Sequence, residues 1–176
     1  MNRITSKEII TTELSSRAII NDEFKGFRED YLVIHCLLRK WNPRTLFEIG
    51  TNHGRGTKIM KNAVSECKIF TLDIKEYAGG WIDFDCVKLI GDSTNFDYSP
   101  YYPIESWFID GDHTYKNVYK ETEEAIKSEA TYIIYHDSDI HEVYTAIVDS
   151  FKSFDSENRW DLYRVEDTRI AYAIKK

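Results

Sequence analysis

Apolar residues in the first forty positions recur every three or four residues, as they do along one face of a helix. This spacing holds over residues 5–20 and again over residues 27–41, which predicts two amphipathic helices. The pair Asn42-Pro43 ends the second helix, because a residue that precedes proline is disfavoured in the α conformation. The sequence therefore begins with a predicted helical lead-in over residues 1–42.

Further along the chain, short apolar runs alternate with helical segments. Runs rich in Ile, Leu, Val and Phe are typical of buried parallel strands, and they occupy residues 45–49, 68–74, 87–90, 106–110 and 131–135. Predicted helices lie at residues 58–64, after Thr114, and after Asp139 and Glu142, whose spacing fits a capping box. A loop that contains Gly79-Gly80 joins the second and third strands.

Two more strands close the chain at residues 160–165 and 169–174, and the short turn between them predicts an antiparallel hairpin. Strands that alternate with helices predict an α/β fold with a doubly wound, mostly parallel sheet, here of seven strands with N-terminal helices. We expect one domain over residues 1–176, with the lead-in at 1–42 and a ligand-binding core at 43–176.

Composition narrows the classes of ligand and location. The net charge is −7 and the longest cationic cluster is Lys175-Lys176, which argues against a nucleic-acid partner. No signal peptide and no apolar stretch of about eighteen residues is present, so we expect a cytoplasmic protein without a membrane partner. Cys36, Cys67 and Cys86 are widely spaced and odd in number, which argues against disulfides and a thiolate metal site.

The stretch at residues 46–57 predicts a strand, a glycine turn and the start of a helix near Thr57. Gly50, Gly54 and Gly56 allow the backbone to approach a ligand closely, and a helix N-terminus presents free N–H groups to it. Asp73 ends the second strand, where an acid accepts hydrogen bonds from ribose hydroxyls. These features predict a nucleoside-containing ligand; the alternative is a plain strand-to-helix turn with a surface acid.

The ordered motifs resemble those of class I S-adenosylmethionine (SAM)-dependent methyltransferases. They are Glu48-Ile49-Gly50-Thr51, Thr71-Leu72-Asp73, Gly91-Asp92-Ser93, Ile109-Asp110-Gly111-Asp112-His113 and Tyr135-His136-Asp137. More narrowly, they are similar to the small O-methyltransferase branch of catechol and macrocin O-methyltransferases and cephalosporin-hydroxylase-like proteins, which implies a Rossmann-like fold. The resemblance covers residues 44–140 and departs at Glu129-Ala130-Thr131, where that family usually has a glycine pair.

The resemblance implies a set of SAM-binding residues. They are Glu48, Gly50, Thr51, Gly54, Asp73, Asp92, Ser93 and Asp110. The turn at Gly50 would pass beneath the methionine part of SAM, and Glu48 would brace the turn or contact the methionine amino group. Asp73 would hold the ribose hydroxyls and Asp110 would lie beside the methyl donor, with the adenine edge at Asp92 and Ser93.

Acids and histidines after the fourth and fifth strands indicate a metal site. Asp110, His136 and Asp137 would converge on one divalent cation, Mg²⁺ or Mn²⁺, which in related enzymes binds the acceptor oxygen. The alternative is that Asp137 and Asp139 cap the next helix and His136 is an interior histidine. Catalysis would rest on Asp110 and on His113 as general base; the alternative is that His113 orients the loop or hydrogen-bonds Asp112.

We therefore expect metal-assisted O-methylation of a small-molecule hydroxyl on a sugar, polyketide or catechol-like acceptor. The alternatives are an NAD-dependent oxidoreductase, which the glycine spacing disfavours because it does not match G-x-G-x-x-G, and a non-catalytic binding protein with this fold. A nucleobase methyltransferase is weaker still, because residues 110–113 replace its usual Pro-Pro-aromatic run. The sequence leaves a homodimer open. Tyr98, Tyr101 and Tyr102 belong either to an acceptor pocket or to a surface loop.

Overall fold

The computed structural model describes residues 1–16, 18, 26–76 and 85–176. Its helices are α1 (Ser6–Ile9), α2 (Thr12–Ser15), α3 (Arg28–Trp41), α4 (Arg55–Ala63), α5 (Tyr115–Lys127) and α6 (His141–Phe154). Its strands are β1 (Asn2–Ile4), β2 (Thr45–Ile49), β3 (Lys68–Asp73), β4 (Val87–Ile90), β5 (Ser106–Ile109), β6 (Tyr132–Tyr135), β7 (Trp160–Val165) and β8 (Ala171–Lys175). The predicted Gly79-Gly80 loop and the end of the first predicted helix lie outside these residues. Within them, no helix combines the length and the apolar character needed to cross a bilayer.

The strands form one sheet in the order β1-β7-β8-β6-β5-β2-β3-β4. All neighbours are parallel except β8, which runs antiparallel to both β6 and β7. The predicted α/β fold and C-terminal hairpin are therefore confirmed. The sheet has one strand more than predicted, because Asn2–Ile4 pairs in parallel with β7; three residues are too few to show an alternating pattern.

The lead-in differs from its prediction in the first half. Residues 5–20 were predicted as one helix, but the structure has the two short helices α1 and α2. Thr5 forms a capping box with Glu8 at the start of α1, and the Thr11 side chain accepts a hydrogen bond from the Leu14 N–H at the start of α2. Each threonine begins a new helix, which explains the break. The second predicted helix is confirmed as α3, and Asn42 ends it in the left-handed conformation.

Side chains on the central strands alternate between two cores, as the two-residue period of a strand requires. Phe47 and Ile49 of β2 point into the core that contains α5 and α6. Leu46 of the same strand points into the core formed with α3 and α4. Within the described residues the sheet is therefore covered on both faces, and its strand ends are where a polar ligand is expected to bind.

Gly50 lies where the strand order reverses, between β2 and β5. Its φ is +93°, and a Cβ atom there would overlap the carbonyl oxygen of Asp110. The neighbouring strand ends stay in hydrogen-bond register, since the Asp110 N–H donates to the Ile49 carbonyl at 2.9 Å and the His136 N–H to the Ile109 carbonyl at 3.1 Å. The three strand ends that carry the predicted catalytic and metal residues are thereby held side by side.

Gly50→Ala should destabilise the protein by about 3 kcal/mol or more, because it adds a backbone clash to the cost of a positive φ. Gly26→Ala is the matched control: its φ is +88° and no atom of the described residues lies within 4 Å of the added Cβ. The control should cost only about 1 kcal/mol. Urea denaturation of both variants measures the difference, and equal losses would contradict the importance of the contact with Asp110.

Candidate functional site

A cavity of about 570 Å³ opens at the carboxyl ends of the strands. Nine of the eleven predicted site residues line it: Gly50, Thr51, Asp73, Asp92, Ser93, Asp110, His113, His136 and Asp137. Glu48 is completely buried behind the glycine turn. Gly54 is the N-cap of α4 and does not line the cavity. The structure thus gathers most of the predicted residues around one space, whose polar walls come from five strand ends.

The glycine turn is tied directly to the acid of the next strand. The Asn52 N–H donates a hydrogen bond of 2.8 Å to Asp73 Oδ2, which links the turn to the end of β3. Helix α4 begins at Arg55, three residues before its predicted start at Lys58. Its first turn therefore lies closer to the cavity than the sequence indicated, with its free N–H groups available to a ligand.

Glu48 braces this turn from below. Its Oε2 accepts hydrogen bonds of 2.5 Å from the hydroxyls of Thr57 and Thr71, and the Thr71 hydroxyl also meets that of Thr51 at 2.5 Å. A Cβ atom at Gly56 would lie 2.8 Å from Glu48 Oε1, so glycine is needed for α4 to cover the carboxyl. Of the two predicted roles for Glu48, the geometry matches bracing of the turn.

The loop after β4 is fixed by a second buried acid that the sequence did not reveal. Ser93 donates a hydrogen bond of 2.6 Å from its hydroxyl to Glu121 Oε1, and Glu121 is completely buried in α5. Burial raises the pKa of Glu121 to about 7, although the bond from Ser93 opposes this. Asp92 accepts hydrogen bonds from Thr94 and Asn95, which lower its pKa. Both predicted adenine-edge residues therefore have fixed positions.

Asp110, His113 and Asp137 form a compact cluster, in which one ligand atom of each lies within 4.8 Å of the other two. His113 Nε2 is 3.0 Å from Asp137 Oδ2 and 3.7 Å from Asp110 Oδ1. The carboxylates of Asp110 and Asp137 raise the pKa of His113 to about 10, against the opposing effect of burial. Asp112 accepts hydrogen bonds from Thr114 and Asn117 instead, so the alternative contact between His113 and Asp112 is not formed.

His136 lies behind this cluster and is almost fully buried. Its Nδ1 is 3.0 Å from Asp137 Oδ2 and 3.3 Å from Asp110 Oδ1. On the other side of the ring, Nε2 is 3.4 Å from Asp30 Oδ2. Burial alone would lower the pKa of His136, but the carboxylates of Asp110, Asp137 and Asp30 outweigh it and raise the pKa to about 12.

The donor set fits a hard divalent cation. Nε2 of His113 and both ring nitrogens of His136 are buried and lie near carboxylate oxygens, and none of the three makes a hydrogen bond within the described residues. Nitrogen and oxygen atoms that converge without hydrogen-bonding one another are the arrangement that a shared cation requires. Two carboxylates favour Mg²⁺ or Mn²⁺, and an imidazole adds affinity for transition metals.

Asp137 is positioned by this cluster and is not a helix cap. Its φ is +49°, and its side chain turns toward the two histidines and toward Arg169, whose Nη1 lies 3.5 Å from Oδ1. The two histidines hold the pKa of the Asp137 carboxyl well below its usual range, although burial opposes them. The predicted capping box is wrong: α6 begins after Ile140, and Glu142 Oε2 accepts a hydrogen bond of 3.0 Å from the Tyr115 N–H at the start of α5.

The wall nearest the histidines comes from α3, which the sequence analysis did not connect with the site. Phe27 and Tyr31 line the cavity, and Asp30 between them is 4% exposed. Positions 27, 30 and 31 share one helix face. The acid at position 30, on a face that is otherwise apolar, was the sequence signal that could have connected α3 with the site.

Of the three tyrosines after the third predicted strand, Tyr98 and Tyr101 pack into the core, whereas Tyr102 is 37% exposed, as the surface-loop alternative predicted. Tyr98 is 2% exposed, and its ring centroid lies 5.1 Å from those of Phe47 and Trp107. Tyr101 packs against Phe47 as well, with centroids 5.9 Å apart. These rings complete the core on the side of α5 and α6, and the Tyr98 hydroxyl donates to the Ser93 carbonyl at 2.9 Å.

Glu48 should make stability depend on pH. Burial raises its pKa from 4.5 to about 8, while the bonds from Thr57 and Thr71 oppose the change. Between these values the folded protein keeps a proton that the unfolded chain has released, so the free energy of unfolding falls as pH rises, by up to about 1.4 kcal/mol per pH unit. Glu48→Gln removes this titration and should flatten the slope.

Urea denaturation between pH 5 and pH 8 measures the slope for the wild type and the variant. Glu66→Gln, at an exposed position, is the control and should leave the slope unchanged. An equally steep slope in Glu48→Gln would mean that Glu48 ionises normally in the folded protein.

Comparison with known proteins gives similarity in structure alone. No protein-family model and no curated protein matches the chain. A methyltransferase from Podospora anserina with S-adenosylhomocysteine (SAH) bound superposes with a TM-score of 0.63 at 11% identity, over 88% of this chain and 81% of that one. An O-methyltransferase from Bacillus cereus in complex with SAH gives 0.59 at 16% identity, over 97% and 90%.

A third solved structure is the MycE methyltransferase from the mycinamycin biosynthetic pathway, in complex with Mg and SAH. Its TM-score is 0.56 at 15% identity, over 83% of this chain and 48% of the longer MycE chain. The predicted resemblance thus extends to three dimensions: the chain has the Rossmann-like fold of class I SAM-dependent O-methyltransferases.

Proposed function

We propose that the protein is a SAM-dependent methyltransferase that transfers the methyl group to a hydroxyl of a small molecule, with the help of a divalent cation. One observation carries the proposal: the cavity at the reversal of strand order is lined by Gly50, Asp73, Ser93 and Asp110, in the order and fold of SAM-binding O-methyltransferases. The alternative of a dinucleotide-dependent oxidoreductase lacks the glycine spacing that cradles a pyrophosphate.

In the proposed complex, the glycine turn lies under the methionine part of SAM, and Asp73 accepts hydrogen bonds from the ribose hydroxyls. Asp73 has one oxygen held by the Asn52 N–H, so its carboxylate is oriented before the ligand arrives. The loop at Asp92 and Ser93 meets the adenine, and Glu121 fixes that loop from the interior. Such pre-ordering reduces the conformational entropy lost on binding.

Asp110, Asp137 and His136 would hold the cation, as the MycE complex with Mg makes reasonable for this fold. A cation bound there supplies a positive charge that lowers the pKa of an acceptor hydroxyl next to it. Phe27 and Tyr31 line the cavity beside His136 and present aromatic surface to the acceptor. This wall favours flat, partly apolar acceptors of the catechol or polyketide kind over sugars.

His113 is the group in this arrangement that accepts the hydroxyl proton. Its side chain is 41% exposed and that of His136 is 5% exposed, so His113 is the histidine that an acceptor in the cavity reaches. The charges of Asp110 and Asp137 hold a proton on it. A cation held by Asp110 and Asp137 would offset those charges, which are the cause of the raised pKa of His113, and His113 would then act as the base.

Binding of the nucleoside ligand tests the cofactor. The wild type should bind SAH and not NAD in calorimetry, and Asp73→Ala should weaken SAH binding by about 10- to 100-fold, through loss of charge-assisted hydrogen bonds. Asp85→Ala is the control, because that side chain is fully exposed and should leave the affinity unchanged. Tighter binding of NAD than of SAH would contradict the proposed function.

Substitution of each histidine in turn should separate cation binding from proton transfer. His136→Gln should weaken Mn²⁺ binding about tenfold or more, and His113→Gln should lower kcat about 10²- to 10⁴-fold while Mn²⁺ affinity stays within about twofold. Mn²⁺ titration measures the first quantity; SAH release from SAM, on a panel of catechol, polyketide and sugar hydroxyls with and without chelator, measures the second. Equal loss of Mn²⁺ affinity in both variants would instead make His113 a ligand.

A further inference from the structure

We propose that Asp30, on the lead-in helix α3, is a positioning residue for the candidate cation site. It holds the ring of His136 so that Nδ1 faces Asp110 and Asp137. This proposal deepens the proposed function and rests on it where cation binding is concerned. The orientation of the His136 ring by Asp30 does not require a cation, and it is measured separately in the metal-free protein.

The two nitrogens of His136 meet carboxylates on opposite sides. Nε2 lies 3.4 Å from Asp30 Oδ2, whereas Nδ1 lies 3.0 Å from Asp137 Oδ2 and 3.3 Å from Asp110 Oδ1. The nitrogens of an imidazole point away from each other, so a partner that fixes one nitrogen determines what the other faces. When Nδ1 is deprotonated, as a cation ligand must be, its lone pair is directed at the cluster, while the protonated Nε2 lies on the side of Asp30.

The faces of the ring are enclosed by the same helix. The Phe27 ring centroid lies 6.0 Å from that of His136, and the Tyr31 centroid 6.3 Å away with the planes 24° apart. Because positions 27, 30 and 31 share one face of the helix, a single surface supplies both the carboxylate and the packing around the imidazole. Together they restrict its rotation.

The burial of Asp30 indicates a specific partner. A carboxylate that is 4% exposed is costly unless both oxygens are compensated. Oδ1 accepts a hydrogen bond of 3.0 Å from the Arg169 N–H, and Oδ2 faces His136. The second oxygen therefore gives the acid a function beyond fastening α3 to the start of β8.

A histidine that binds a metal usually donates its other ring N–H to a carboxylate or carbonyl, which fixes its orientation and raises its basicity. Asp30 stands in that relation to His136. The sequence predicted His136 as a ligand from the end of the fifth strand, and its orienting partner comes from the helical lead-in.

Asp30→Asn tests whether Asp30 orients the His136 ring, because asparagine has nearly the same size and shape as aspartate. In this variant the side-chain carbonyl still accepts from the Arg169 N–H, but the new amide donates toward His136 Nε2 and reverses the polarity of that contact. In the metal-free wild type, NMR should detect an exchange-protected, downfield Nε2–H resonance of His136, assigned by its absence in His136→Gln. Asp30→Asn should lose this resonance, and Mn²⁺ affinity should fall about 10- to 100-fold.

Two controls separate positioning from general damage. Glu29→Gln removes the same charge from the adjacent, exposed position of α3 and should keep both the resonance and the Mn²⁺ affinity. In a His136→Gln background, Asp30→Asn should cost no further Mn²⁺ affinity, whereas damage to the fold would lower the affinity in both backgrounds.

The Nε2–H resonance of His136 tests the proposal even if Asp30→Asn does not fold. Its absence from the wild type would by itself show that Asp30 does not orient His136. Persistence of the resonance in a folded Asp30→Asn would overturn the proposal as well, and so would loss of the resonance with unchanged Mn²⁺ affinity. If the wild type binds no Mn²⁺, the cation part of the proposed function fails, and the resonance still decides whether Asp30 orients His136.

Discussion

At Gly50 the ends of β2 and β5 come so close together that a side chain has no room between the backbone and the Asp110 carbonyl. Every polar group of the site depends on this approach. It keeps Asp110 beside the glycine turn, and the hydrogen bond from the His136 N–H to the Ile109 carbonyl carries the same register into β6. A shift of one residue in either strand would turn the acids and histidines toward the opposite face of the sheet.

A second layer of buried acids supports the groups that line the cavity. Glu48 holds the threonines under the glycine turn, Glu121 holds Ser93, and Asp30 faces His136. Each of these acids is less than 5% exposed, and one oxygen of each bonds or faces a polar atom of a different element. Buried hydrogen bonds of this kind contribute modestly to stability but fix one arrangement, because leaving either partner unmatched costs more than the bond returns.

The sequence predicted the features that depend on local pattern. Alternation and short apolar runs located the central strands, and the acids that follow them located the cavity edge, because parallel strands end on the same side of a sheet. Features that depend on distant partners were missed. Asp30 lies far from His136 in sequence, Glu121 resembles any other acid of a charged helix, and Tyr98 is drawn into the core by Phe47 and Trp107.

Local signals also failed where two of them competed. Asp139 and Glu142 have the spacing of a capping box, but Glu142 reaches the neighbouring helix α5 instead. The lead-in looked like one long helix because its apolar spacing is regular, while the capping threonines interrupt it. In both cases, hydrogen bonds of individual side chains outweighed the local sequence pattern.

Helix α3 contributes both to the hydrophobic core and to the candidate site. Its middle, including Val33, Ile34 and Leu37, is part of the core beneath α4, and its first turn encloses His136. In the proposed enzyme, acceptor preference and cation coordination are therefore inherited together. A chimera that takes residues 1–42 from another methyltransferase would bring a foreign acceptor wall and would also remove the carboxylate behind His136, so substrate range would evolve more readily through single changes on this helix than through exchange of the segment.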